Sequence, residues 1–160
     1  MAKSIINLGE YMVTRTPGEE LKTMGLGSCV AVIVYDVMTK TVGMMHIVLP
    51  DSSRLQKKAE ESPGYFADTG IPLLLAEMKK KGVNPFNIKV KLAGGANVVG
   101  STSSFNIGKR NVMAVRKALW QAGLGPVAED TGGSVSRTVT ISTDTLEVNI
   151  KDTVGNWSVL

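Results

Sequence analysis

Cys29 and His46 are the only cysteine and the only histidine of a 160-residue chain, and as residue types they make a nucleophile and a base. The thiolate is the form of cysteine that attacks a carbonyl carbon, so an imidazole that takes the thiol proton turns an inert side chain into a reactive one. Their surroundings are unusual: Cys29 closes the run Thr23-Met24-Gly25-Leu26-Gly27-Ser28-Cys29, and His46 lies in Met45-His46-Ile47-Val48-Leu49-Pro50. Without that context the pair would read as a small buried hydrophobe in a valine-rich strand and a satisfied core histidine. Glycines on both sides of Leu26 shift the balance toward chemistry, because a sharp backbone turn ahead of a thiol is costly unless it positions something.

Whether the two side chains meet depends on the elements that carry them. Cys29–Tyr35 and Val42–Leu49 are rich in valine and isoleucine and predict strands. The short polar stretch Asp36-Val37-Met38-Thr39-Lys40 joins them as a hairpin, although no Asn-Gly pair sets its turn type. An even loop of two or four residues places Ala31 opposite His46 and Cys29 opposite Val48. Alternate residues share a face, which makes Cys29 and His46 diagonal neighbours about 7–8 Å apart at the backbone. An odd loop puts them on opposite faces, and the sequence alone leaves that register open.

The remaining pattern alternates strand-like and helix-like stretches without an internal repeat. Glu10–Thr14 and Glu20–Met24 predict short strands, and Asp51–Pro63, charged and aperiodic, predicts a mobile surface loop able to cover a site. Asp68 or Thr69 is placed to cap a helix that carries Ile71, Leu74, Leu75 and Met78 on one side and ends at Gly82, with Pro72 tolerated only in the first turn. Ile88–Leu92 predicts a buried strand, Val112, Val115 and Leu119 a second amphipathic helix, and Arg137–Ile150 a closing hairpin around Thr143-Asp144-Thr145. Trp157 is expected to anchor the tail. The whole chain, 1–160, reads as a single α/β or α+β domain.

Composition narrows the function classes. A hydrophobic fraction of 43% supports one core, and 18 Lys and Arg against 14 Asp and Glu leave a charge of +4 that favours acidic partners only weakly. The densest basic cluster, Lys79-Lys80-Lys81, closes the first helical pattern, where cations suit the negative end of the dipole. With three Phe, three Tyr and two Trp available for stacking, nucleic acid is not an expected partner. A lone cysteine excludes an intrachain disulfide and thiolate-cluster metal sites. The N-terminus reaches Glu10 before a signal-like apolar core forms, and no apolar run approaches the ~20 residues that span a bilayer. A cytoplasmic location without membrane insertion is expected.

Three glycine-rich stretches invite a nucleotide or cation reading. Gly25-Leu26-Gly27 lacks the third glycine of a dinucleotide loop and leads into a β-branched run rather than a helix. Gly95-Ala96-Asn97-Val98-Val99-Gly100-Ser101 has phosphate-loop spacing but Ser101 in place of the lysine. Glu129-Asp130-Thr131-Gly132-Gly133 offers two carboxylates to a cation, and a polar turn after a strand explains them equally well.

Six runs, at 23–30, 45–50, 63–69 (Pro-Gly-Tyr-Phe-Ala-Asp-Thr), 93–96 (Ala-Gly-Gly-Ala), 106–111 (Asn-Ile-Gly-Lys-Arg-Asn) and 128–133, together resemble the CheD family of chemoreceptor glutamine deamidases. The resemblance implies an α/β sandwich of mixed, largely antiparallel sheet packed with two main helices, related to the catalytic domains of deamidating toxins. It implies Cys29 as nucleophile, His46 as base and Thr23 as the group that orients the imidazole, with no cofactor and no metal. The position of Gly27 and Ser28 predicts that their backbone N–H groups face an oxyanion. The implied substrates are glutamine side chains of chemoreceptor cytoplasmic domains, and the CheC phosphatase is an implied partner. A regulatory binding module with little turnover, or a more distant papain-like amidase, are the competing readings. Asn106, Arg110 and Arg137 are polar contributors that one sequence leaves between the site, partner binding and loop anchoring.

Overall fold

The structure, a computed structural model, describes residues 2–98 and 106–160. Among them ten strands form two five-stranded sheets. The first runs β1 (Ala2–Ile5), β3 (Glu19–Leu26), β8 (Arg137–Ser142), β9 (Val148–Lys151) and β10 (Trp157–Val159); the second runs β2 (Tyr11–Thr14), β5 (Thr41–Ile47), β4 (Val30–Asp36), β6 (Lys89–Gly94) and β7 (Ala128–Thr131). Neighbours are antiparallel except β1 with β3 and β6 with β7.

Three layers follow from the apolar patterning. Leu21, Leu26, Ala31, Ile33, Met44, Val139 and Ile141 fill the space between the sheets. On the other face of the second sheet, Val32, Val34, Met45 and Ile47 pack against α2 (Ala67–Lys80) and α3 (Ile107–Gln121) through Ile71, Leu74, Met78, Val112, Val115 and Leu119. A sheet covered on both faces has no solvent side, which is why β4 and β5 are apolar at nearly every position. The mixed sandwich with two main helices is the architecture expected from the sequence.

The hairpin loop is Val37–Lys40, and its even length pairs Asp36 with Thr41 and Ala31 with His46. Asp36 sets that length locally: its carboxylate accepts the Met38 N–H and the Thr39 hydroxyl, and Lys40 closes the turn at φ 56°. Cys29 lies one residue before β4, on the His46 face.

Some elements differ from expectation. The 51–63 loop contains a helix, α1 (Gln56–Glu61), whose Ala59 is buried; one apolar contact on six residues is too faint a period to read. α2 starts at Ala67 rather than after an Asp68 or Thr69 cap, because the Thr69 hydroxyl donates to the Pro63 carbonyl. Pro72 therefore lies in the second turn, where it forfeits the bond to the Asp68 carbonyl. The helix ends as expected, with Gly82 at φ 88°. Trp157 is half-exposed on β10, so the tail is held by strand pairing with β9 and not by a buried indole. Of the phosphate-loop-like stretch, residues 99–101 lie outside the described residues.

Gly94 ends β6 at φ 113°, and a Cβ there would sit 2.2 Å from the Cys29 carbonyl oxygen. Both the strained φ and the clash oppose any side chain. Gly94→Ala should cost roughly 2–5 kcal/mol and show it as a lower chemical-denaturation midpoint; an unchanged midpoint would refute the close approach.

Candidate active site

Thr23 comes from the first sheet and His46 and Cys29 from the second, so the constellation lies between the layers. Cys29 follows Thr23 by six positions, and in that span the chain crosses from one sheet to the other. The β3–β8 register breaks between Thr23 and Leu26, Gly25 takes φ 67°, and the chain re-enters as β4 at Val30. Thr23 is fully buried, His46 nearly so, and Cys29 is 8% exposed.

The Thr23 hydroxyl lies 2.7 Å from His46 Nδ1 and 2.7 Å from the Ile6 carbonyl oxygen. A carbonyl can only accept, so the single hydroxyl proton goes to Ile6 and Thr23 Oγ1 accepts from Nδ1–H. That fixes the tautomer and leaves a lone pair on Nε2, which is buried and has no partner among the described residues. The backbone of His46 is held by the same N-terminal segment, through Gly9 N–H to the His46 carbonyl and His46 N–H to the Glu10 carbonyl. Because the chain has one histidine, long-range proton–nitrogen NMR should report a single neutral imidazole protonated at Nδ1. A dominant Nε2–H form would overturn the assignment. Thr23→Val, which removes the acceptor, should release the ring and lower turnover by about 10²-fold.

Burial sets the protonation states. Desolvation pushes the Cys29 thiol up to about 11, partly offset by its own backbone N–H, and desolvation holds the His46 imidazole down to about 4. Both groups are therefore neutral at pH 7.

Of the two backbone N–H groups expected to face an oxyanion, that of Gly27 already donates to the Gly25 carbonyl at 3.0 Å. The local turn that positions Cys29 consumes it. No acceptor among the described residues takes the Ser28 N–H.

Sequence reasoning passed over Asn111. It is fully buried on α3 and donates from Nδ2 to the Ser28 and Val48 carbonyls, both at 2.9 Å. The signal was present in the 106–111 run, but an asparagine four residues into a helix gives no hint of long-range partners. Arg137 is a loop anchor, donating to the Gly94 and Gly132 carbonyls and facing Asp130 at 3.4 Å. Glu129 pairs with Arg116 at 2.9 Å. Arginines thus occupy both carboxylates of the 129–133 stretch, and no group of three or more metal-ligating side chains occurs among the described residues.

Cavities flank the site without including it. One of about 500 Å³ is bounded by Leu49, Pro50, Leu55, Ile107 and Arg110; another of about 450 Å³ by Gly95, Asn106, Lys109, Val112 and Gly133. The first two turns of α3 stand between them, and neither has Cys29 or His46 in its wall. No described helix is long and apolar enough to cross a membrane.

Comparison with known proteins places the chain in a family. The family profile described as CheD chemotactic sensory transduction matches residues 48–152. A probable chemoreceptor glutamine deamidase CheD of Syntrophotalea carbinolica is 48% identical over 99% of this chain and 100% of its own length. The chemoreceptor glutamine deamidase CheD of Thermotoga maritima is 41% identical over 96% and 94%. A solved structure, that of the Bacillus licheniformis hypothetical protein YfiH, aligns with a TM-score of 0.49 and 16% identity over 76% of this chain and 49% of that one. The chain belongs to the CheD family. The profile begins at residue 48, past Thr23, Cys29 and His46, whereas the full-length relatives span all three.

Proposed function

We propose that this protein is a chemoreceptor glutamine deamidase, hydrolysing glutamine side chains of receptor cytoplasmic domains to glutamate and ammonia, with Cys29 as nucleophile, His46 as base and Thr23 as the residue that orients the ring. Full-length relatives named for this activity support the reaction. The observation that carries the assignment of roles is the Thr23–His46 bond, because it leaves the basic nitrogen free for a thiol one strand away.

The reaction then runs in two halves. Nε2 takes the Sγ proton as sulfur attacks the carboxamide carbon, and the Ser28 N–H stabilises the developing oxyanion. The C–N bond breaks as the imidazolium returns the proton to nitrogen, ammonia leaves, and a thioester remains. Water gives a proton to the neutral imidazole and adds to the thioester carbonyl. The C–S bond breaks, the thiolate recovers the proton, and glutamate is released. Nothing in the cycle calls for a metal or redox partner. The buried, neutral pair is suited to an uncharged carboxamide, which brings no charge into the low-dielectric space between the sheets.

Family membership also supports a CheC phosphatase as partner. The direct test of the reaction incubates the purified protein with a chemoreceptor cytoplasmic fragment and maps Gln-to-Glu conversion by peptide mass spectrometry. Conversion at discrete glutamines is expected. Binding of the fragment or of CheC with no conversion would leave a regulatory module in place of the enzyme.

A further inference from the structure

We infer that Asn111 is a positioning residue that sets the approach of Cys29 to His46. The β4–β5 ladder ends at the pair Val30 and Ile47, one step short of Cys29 and one step past His46. Beyond that pair the two chains separate. On one side, the extension of β6 holds the nucleophile loop, with Gly95 N–H donating to the Cys29 carbonyl and Ala96 N–H to the Gly27 carbonyl. Nothing in the ladder holds it on the β5 side. Asn111 takes that place: its Nδ2 bridges the Ser28 and Val48 carbonyls, both at 2.9 Å, where the next rung would have been.

The orientation of the amide is unambiguous, since both partners are carbonyl oxygens and only the NH₂ end can face them. The opposite end, Oδ1, is buried with no donor among the described residues. A residue kept for packing would not leave an acceptor in that state, because an unsatisfied buried polar atom costs about 1–3 kcal/mol. The cost is tolerated for the forked donor. With the rung replaced by a side chain on α3, the strands can part enough to admit a substrate carboxamide while the Cys29 loop stays tied to the end of β5 beside His46. A misplacement of about 1 Å at such a contact is enough to lower a rate about 10²-fold.

The inference rests on the Cys–His assignment of the proposed function, and its test reads the pair without the receptor. Alkylation of Cys29 by iodoacetamide, itself a carboxamide, is measured in wild type, Asn111→Ala, His46→Ala and the double variant, with folding checked by circular dichroism. Asn111→Ala should slow alkylation tenfold or more, yet cause no further loss on the His46→Ala background, because geometry matters only while the base is present. Equal rates in wild type and Asn111→Ala, or losses that multiply in the double variant, would overturn the positioning role. If Asn111→Ala does not fold, Asn111→Ser, which keeps one donor, carries the same comparison. Receptor deamidation by these proteins should lose kcat with KM unchanged. A wild type that shows the coupled alkylation but converts no glutamine would remove the proposed function and leave the positioning intact.

Discussion

Cys29→Ala should abolish receptor deamidation, with a fall of at least ~10⁴-fold in turnover, while the protein remains folded. The thiol contributes one small side chain to the layer between the sheets, so its loss costs on the order of 1 kcal/mol and leaves the three-layer packing intact. Cys29→Ser should be nearly as inactive despite keeping a hydrogen-bonding atom. A hydroxyl is far less acidic than a thiol, and an imidazole held down to about 4 is too weak a base to activate it. Peptide mass spectrometry over a long incubation decides the matter, and a Cys29→Ala protein retaining more than a trace of conversion would move the nucleophile elsewhere.

His46→Ala should lower kcat by about 10³-fold and at the same time change how stability responds to acid. The folded imidazole titrates near 4 and the unfolded one near 6.5, so between these values the unfolded state binds more protons. The stability associated with the neutral buried ring is full above pH 6.5 and is lost as pH falls toward 4, by roughly 3 kcal/mol. Carboxylates titrate in both proteins, but only the wild type carries this histidine term. Denaturant unfolding at pH 7 and pH 4.5 should therefore show a steeper loss for the wild type than for His46→Ala. In kcat/KM, the acid limb of the wild type should fall below pH 6.5, where the base becomes protonated; a limb at or above 6.5 would mean that the ring is not desolvated in the working enzyme.

Much of this was legible along the chain because strand and helix periods are local. The β4–β5 hairpin could be drawn from two valine-rich runs and a short polar link, and its faces followed once the loop length was known. Asp36 turned out to set that length through its own carboxylate. The elements that escaped notice, β1, α1, β7 and β10, are short and carry too few buried residues for a period to emerge. The role of Thr23 rests mostly on the resemblance, because nothing in a strand residue six positions before a cysteine announces that the chain changes sheets between them.

What the sequence determined by itself was the chemistry available: one thiol, one imidazole, a glycine-rich turn ahead of the thiol and an apolar hairpin to carry both. Only the tertiary structure decided how they are held. The Ile6 carbonyl selects the histidine tautomer, the enclosing layers keep thiol and imidazole neutral, the turn itself consumes the Gly27 N–H, and Asn111 reaches from α3 to close the gap in the ladder. Each of these is a contact between segments distant in sequence or a consequence of burial. Neither a hydrogen-bond partner across the fold nor the exclusion of water is encoded in the local pattern of residues.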